Sequence, residues 1–468
     1  MGGRVFPVVF ACLFALVAAG RASAYTEQEL SLRMDDGVDL AGTLYEPSAA
    51  PPPAGHPAII VFHGLGGRRQ DLAFLAQAFS DPFAVLTLDA RGHGESGGLV
   101  SIDGPREIAD VKAVFNWLAA RPEINRSRIG AWGLSLGGGA VLRSLVDGVP
   151  WAAAVTVQTW TDLFSALAPQ RLSKSGAVFN FLSSVPQNRF DPSVQAIRQD
   201  AIASTNLGAL RAWADARSSR SQLGKVKTPV FMFQGRRDFA FDIAQARAGY
   251  RLLKGPKRLY VGGFGHEPST FPGPDIAEVA SLSSKWFTRY LIGTPADFAP
   301  VSLAPSPWRG KLRTYSALPA TRKLTVRLGG FDSLAGSGRA LRASGPLTAR
   351  VETFGSPQVQ VTAKLSGGWS RLVAVLTARL PRGGEIVVSE GGVNTTGLSG
   401  KRRLTIGLID VATLIPRGSR FRLYLASSSL AQNPANLLYL NLPMPASARV
   451  RLGPARVIIP ILQSPVSR

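Results

Sequence analysis

Residues 129–142 read Ile129-Gly130-Ala131-Trp132-Gly133-Leu134-Ser135-Leu136-Gly137-Gly138-Gly139-Ala140-Val141-Leu142. An apolar stretch, Ile129–Trp132, runs into a serine with glycines on both sides, and small helix-compatible residues follow. A strand that turns this sharply into a helix needs glycines flanking the serine. The turn lifts the hydroxyl out of the backbone at the carboxyl edge of a sheet. A serine hydroxyl is a poor nucleophile until a base is set beside it. The chain offers four histidines, His56, His63, His93 and His266. His56 follows the loop Pro51-Pro52-Pro53 and reads as a surface residue, while His63 and His93 precede the serine. With this turn the chain order is nucleophile, acid, histidine, which leaves His266, in Gly262-Gly263-Phe264-Gly265-His266, as the expected base. The base needs an orienting carboxylate. Asp238, in Gly235-Arg236-Arg237-Asp238 after the strand Val230–Phe233, is expected to supply it. Asp242 is the fallback, and pairing of Asp238 with Arg236 or Arg237 is the structural alternative. Two backbone donors should face a developing oxyanion: the N–H of Leu136, and that of Leu65 in His63-Gly64-Leu65-Gly66-Gly67.

Outward from that turn, short apolar runs alternate with helical stretches. An opening hairpin, Leu30–Arg33 and Val38–Leu44, turns at Asp35-Asp36-Gly37. Ala58–Phe62, Phe83–Leu88, Ala152–Val157 and Leu259–Val261 read as buried strands, and Glu107–Ala120 as an amphipathic helix. Strands covered on both faces indicate an α/β class with a doubly wound, mostly parallel sheet. Residues of about 160–224 break the alternation and read as an inserted helical cap. Trp160, Phe164, Phe179 and Phe181 are its candidates for lining an apolar substrate pocket, or alternatively for packing the cap onto the sheet. Prolines at 295, 300, 305 and 307 mark a linker, 294–309. From 310 to 468 the period becomes two, as in Val359, Val361 and Ala363 or Phe421, Leu423 and Leu425, which predicts an antiparallel β-sandwich. The catalytic domain is expected over 25–293.

The 468 residues carry 53 Lys and Arg against 30 Asp and Glu, for a formal charge of +23. Residues 301–468 hold 23 basic and 5 acidic residues, so most of the excess lies in the sandwich. That asymmetry raises a second reading of another class, an anionic-surface or anionic-polymer binder on an inactive hydrolase scaffold. No nucleic-acid recognition motif is present, and nucleic acid is not an expected partner. Arg4, the apolar run Val5–Ala19 and Ala22-Ser23-Ala24 form a cleavable leader over 1–24, so a secreted or periplasmic location is expected. No later stretch reaches the roughly 18 apolar residues of a membrane span. Cys12, the only cysteine, lies in that leader. The mature chain therefore has no thiol, and neither a metal nor an organic cofactor is expected.

The serine turn, the order Ser135, Asp238, His266, and the loop Asp89-Ala90-Arg91-Gly92-His93-Gly94-Glu95-Ser96-Gly97-Gly98 resemble the α/β-hydrolase superfamily. Val388-Ser389-Glu390-Gly391, Arg417-Gly418-Ser419-Arg420-Phe421-Arg422-Leu423 and Asn433-Pro434 resemble the C-terminal jelly-roll domain of X-prolyl dipeptidyl-peptidases and cocaine-esterase-like hydrolases. The resemblance spans nearly the whole mature chain and implies a serine hydrolase domain followed by a jelly roll. In that family a tyrosine hydroxyl usually serves the oxyanion. Here His63-Gly64-Leu65-Gly66 stands at that point, as in dienelactone-hydrolase-like esterases. A dipeptidyl-peptidase must also bind a substrate ammonium, yet no glutamate occurs between Glu123 and Glu267. The cap offers only Asp162, Asp191, Asp200 and Asp215. Hydrolysis of a small carboxylic ester through an acyl-enzyme is therefore the expected activity, with X-prolyl dipeptidyl-peptidase activity as the alternative.

Overall fold

The computed structural model describes residues 25–430 and 438–463. The leader expected over 1–24 and the Asn433-Pro434 pair lie outside the described residues.

The first half is a ten-stranded sheet: β1 (Tyr25–Arg33), β2 (Asp39–Pro47), β3 (His56–Phe62), β4 (Ala84–Leu88), β5 (Ile124–Leu134), β6 (Ala153–Val157), β7 (Val230–Gly235), β8 (Lys257–Gly262), β9 (Val301–Leu303) and β10 (Arg313–Tyr315). Its order is β1-β2-β4-β3-β5-β6-β7-β8-β9-β10. β1 pairs with β2 and β2 with β4 antiparallel, then every neighbour from β4 to β9 is parallel. Each parallel crossover is filled by helix: α1 (Ala73–Phe79), α2 (Pro105–Ala119), α3 (Leu136–Val146), the cap helices α4 (Leu163–Leu167), α5 (Ser175–Ser183), α6 (Pro192–Ala203) and α7 (Leu207–Asp215), then α8 (Ile243–Leu252) and α9 (Ile276–Phe287). β3, β4, β6 and β7 are buried along their full length because helices cover both faces, which is why their sequences are continuous apolar runs rather than alternating ones.

Two expectations are corrected. The sheet does not stop at residue 293, because β9 and β10 add to it from within the expected linker and from beyond it. Three-residue strands are too short to show a period, and they form here because the free edge of β8 offers a ladder to β9, and β9 in turn to β10. His56 is not a surface residue but the buried first residue of β3, its N–H donating to the Glu123 carbonyl.

The second half is a sandwich of two antiparallel sheets. One joins Thr321–Leu328, Arg449–Leu462, Gln358–Ser366 and Gly400–Gly407 in that order, with Asp332–Ala335 also pairing on Arg449–Leu462. The other joins Ala340–Pro346, Arg420–Ala426, Arg371–Arg379 and Glu385–Asn394. Strand 358–366 alternates buried and exposed positions, whereas strand 371–379 is buried at every position but the last. The difference is the interface between the halves. Val373 and Val375 turn away from the sandwich core and pack with Leu172 of the cap segment and Phe239 of the loop after β7. One sheet therefore sits on the hydrolase half, and the outer face of the other is left to solvent.

Candidate active site

Ser135 occupies the turn between β5 and α3 with φ 53° and ψ −111°, a conformation rare for an L-residue. The flanking glycines are required by contact. A Cβ on Gly133 would lie 2.2 Å from the Gly137 carbonyl oxygen, and one on Gly137 2.3 Å from that of Phe62. Both obstacles are backbone and cannot swing aside. Gly137→Ala is accordingly expected to destabilise the protein by roughly 2–4 kcal/mol, read as a lower urea midpoint at unchanged m-value.

The structure brings Ser135, His266 and Asp238 together from three loops at the carboxyl edge of the sheet. His266 Nδ1–H donates to Asp238 Oδ2 at 2.7 Å, which leaves Nε2 as the acceptor for the Ser135 hydroxyl at 2.9 Å. Asp238 is fully buried and fully engaged. Its Oδ2 also accepts the His266 backbone N–H at 3.1 Å, and its Oδ1 accepts those of Ala240 at 3.0 Å and Phe241 at 2.9 Å. The alternative pairing with its neighbours does not occur: Arg236 goes to Glu352 and Arg237 to the Val387 carbonyl. Asp242 is not beside the histidine but caps α8, accepting from Ala244 N.

Leu136 is the first residue of α3, so its N–H has no partner within the helix. Among the described residues the Leu65 N–H also meets no backbone acceptor. Both residues line the same cavity as Ser135. The loop carrying Leu65 is held by His63, whose Nδ1–H donates to the Gly64 carbonyl at 2.7 Å while Nε2 accepts from Ala90 N at 2.9 Å. Burial pushes the His63 imidazole below its ordinary pKa and His93 down to about 4, so both rings are neutral braces.

The cavity encloses about 570 Å³, mouth included, and its walls are apolar: Leu163 and Leu167 of α4, Val178, Phe181 and Leu182 of α5, and Phe241 among them. Trp160 and Phe181 line it as expected. Phe164 and Phe179 do not. Positions 179 and 181 lie about 200° apart around α5, so Phe181 faces inward while Phe179 is 46% exposed. Phe164 is turned from the Leu163–Leu167 face and packs under the Arg211 guanidinium, 4.0 Å from its ring centroid. Phe181 and Phe241 set their rings against His266, at centroid distances of 5.6 and 5.1 Å.

Three supporting residues escaped the sequence reading. Lys174 is buried in the cap and donates from Nζ to the carbonyls of Phe239 and Ala240, both at 2.9 Å, clamping the loop that carries Asp238. Ile102, a wall residue, takes φ 56°, an outlier for a β-branched side chain. The segment is held there by Glu107, whose carboxylate accepts from Ser101 N at 2.6 Å and Asp103 N at 2.5 Å, and which burial pushes up to about 7. Nothing local marks Lys174 or Ile102, since the first acts on a segment distant in the chain and the second sits against its own propensity, whereas Glu107 acts only a few residues away and its signal was an acid in the first turn of α2.

Glu352, from the sandwich, braces the acid loop from the other side. It binds Arg236 and accepts two hydrogen bonds from Arg313, each 2.7 Å. Burial pulls the Glu352 carboxyl upward, but the two guanidiniums outweigh it and hold the group below its ordinary value. Its stabilising charge is therefore fully present above the unfolded pKa of about 4.3 and lost as pH falls through the lower folded value. Glu352→Gln should lower Tm at pH 7, and the gap to the parent should close as the pH is taken below about 4.

A serine, a buried aspartate and a histidine in this order on this sheet define an α/β-hydrolase with the site of a serine hydrolase. A family model for X-Pro dipeptidyl-peptidase (S15 family) matches residues 36–268, a span that contains all three residues. An uncharacterised 31.7 kDa protein of Escherichia coli, from the traX-finO intergenic region, is 44% identical over 270 residues, covering 50% of this chain and 92% of that protein. A CocE/NonD family hydrolase of Staphylococcus aureus superposes with a TM-score of 0.73 at 14% identity, over 94% of each chain. An α-amino acid ester hydrolase superposes with a TM-score of 0.68 at 17% identity, over 97% of this chain and 99% of that one. The chain belongs to the X-Pro dipeptidyl-peptidase (S15) family of serine hydrolases, and it shares the fold of the CocE/NonD hydrolase, C-terminal β domain included. Among the described residues, no helix is long and apolar enough to cross a membrane, and no group of three or more His, Cys, Asp or Glu could hold a metal ion.

Proposed function

We propose that this chain hydrolyses carboxylic esters with an apolar acyl or alcohol portion, by two-step acyl transfer. Ser135 Oγ attacks the ester carbonyl while its proton passes to His266 Nε2. Asp238 keeps the ring in the required tautomer and offsets the imidazolium charge. The Leu65 and Leu136 N–H groups receive the oxyanion. The alcohol leaves with the proton from Nε2, and water then attacks the acyl-serine by the same route, releasing the acid and restoring Ser135.

The observation that carries the ester reading is the wall of the cavity. Among the described residues, no carboxylate lines it. A peptidase that grips a substrate ammonium needs one, because a buried ammonium without a counter-charge is strongly disfavoured. The cap's four acids are occupied elsewhere: Asp162 caps α4 and pairs with Arg220, Asp191 caps α6, Asp200 binds Thr205, and Asp215 is exposed. The test sets p-nitrophenyl acetate, butyrate and octanoate beside glycyl-prolyl-p-nitroanilide. Esters should exceed the anilide by at least about 100-fold in kcat/KM, a difference of roughly 3 kcal/mol in transition-state binding. Faster anilide cleavage overturns the reading.

We also propose export, with the mature chain beginning at Tyr25. β1 pairs with β2 from Tyr25 itself, opposite Pro47, so a chain beginning at Tyr25 keeps every pairing of the described sheet. N-terminal sequencing of protein from the extracellular or periplasmic fraction should begin at Tyr25.

A further inference from the structure

Only 5 of the acidic residues lie beyond residue 300, and each is spent away from the outer face of the solvent-facing sheet, Asp332 of that sheet lying opposite the inward-facing Leu452. Asp332 pairs with Arg342 at 2.8 Å, Glu385 with Arg422 at 2.9 Å and Asp410 with Arg247 at 2.5 Å. Glu352 is held by Arg236 and Arg313, and Glu390 is buried against Ser429. The outer face of the other sheet is left with cations as its only charged groups. Alternation and register place them. The inward residues of strand 449–462 are Val450, Leu452, Ala455, Val457, Ile459 and Ile461, so Arg451 and Arg456 point out. Arg456 lies beside Arg327 of the neighbouring strand. Lys364 lies between Arg451 on one side and Lys401 on the other, and Arg403 is two residues along from Lys401 on the same face. All six are exposed, and among the described residues none of them enters an ion pair. Strand geometry spaces such groups about 5 Å apart across the sheet and about 7 Å along it.

One side chain beside these cations is large, apolar and exposed. Phe331, just before strand 332–335, is 84% exposed, the most exposed large apolar residue described. It lies over the sheet opposite Gly453, with its ring 3.8 Å from where a Cβ on that glycine would stand. A bare phenyl ring costs hydration free energy in water and gains it back just beneath a layer of lipid headgroups.

We infer that this face docks the protein on an anionic phospholipid bilayer, with the cations over the headgroups and Phe331 inserted between them. The occupant follows from shape as well as charge. The face is a broad sheet surface, extended in two directions, as a bilayer is. A single-stranded nucleic acid would call for a charged groove with stacking platforms along it, whereas here a single exposed ring lies over a broad face. Because the other sheet is seated on the hydrolase half, docking here leaves the catalytic domain on the far side from the membrane. This inference stands independently of the substrate.

The test is sedimentation of the mature chain, residues 25–468, with large vesicles of phosphatidylcholine alone, or of phosphatidylcholine mixed with phosphatidylglycerol. Partition should favour the anionic vesicles and fall as salt is raised. The double change Lys364→Glu and Arg451→Glu should lower it at least about tenfold, and Phe331→Ala about threefold. Neither variant should alter p-nitrophenyl ester hydrolysis in solution, which shows that both remain folded. Equal partition onto the two vesicle types, or unchanged partition of the double variant, overturns the proposal. So does retention on heparin without partition onto anionic vesicles, which assigns the face to a polymer instead. Unchanged partition of Phe331→Ala overturns the anchoring role of the ring.

Discussion

Ser135→Ala is expected to fold normally and to lose ester hydrolysis by about 10⁵-fold or more in kcat, and with it labelling by a fluorophosphonate probe. Structure should survive because the change removes one oxygen and leaves the turn as it is. Alanine fits wherever serine does, and the close backbone contacts at this turn belong to Gly133 and Gly137. Activity should not survive because His266 Nε2 is then left with no hydroxyl to deprotonate, its present partner being Ser135 Oγ at 2.9 Å. Ser135→Gly makes the companion measurement. Glycine adopts φ 53° and ψ −111° without the strain that a Cβ brings, so it should raise stability by about 1 kcal/mol while remaining inactive. A rise in urea midpoint for glycine, with none for alanine, would show that the turn stores strain on behalf of the nucleophile. Full activity in Ser135→Ala would remove the serine hydrolase reading altogether.

Asp238→Asn is expected to lower kcat by about 10⁴-fold with KM nearly unchanged. Asp238 receives four N–H donors: Ala240 and Phe241 on Oδ1, and the backbone and ring of His266 on Oδ2. A carboxylate can accept all four, but an amide cannot. If the asparagine NH₂ faces Ala240 and Phe241, donor meets donor and the loop is forced open. If it faces His266, the ring must give up its Nδ1 proton and carry it on Nε2, where it can no longer accept from Ser135. Either outcome disables the base without touching the apolar cavity, which is why the loss should fall on kcat. The second outcome gives up the His266 backbone N–H bond to Oδ2 but keeps those of Ala240 and Phe241, so a modest loss of stability with a large loss of activity would identify the tautomer as the cause. A loss in KM alone would contradict this account.

The elbow was legible from residues 129–142 because its geometry is local. Glycine, serine and glycine at that spacing after an apolar run admit few backbone paths, and the packing around Gly133 and Gly137 shows why. His266 was legible by elimination, since the chain has four histidines and three precede the serine or lie far from its loop. Asp238 was legible by its place after β7. The strands of the first half could be read because burial on both faces writes an unbroken apolar run. The short strands β9 and β10 could not, since three residues carry no period and their pairing depends on an edge supplied from elsewhere.

What the chain alone determined is therefore the class of chemistry and the two kinds of sheet, because both depend on neighbours close in sequence. What only the tertiary structure decided is who surrounds that chemistry. It put Phe181 in the wall and Phe179 in solvent, and set Lys174 and Glu352 on opposite sides of the acid loop. It also consumed every acid of the sandwich away from one cationic face. These choices depend on which face of an element meets which distant partner, and packing makes that choice only once the whole chain has closed on itself.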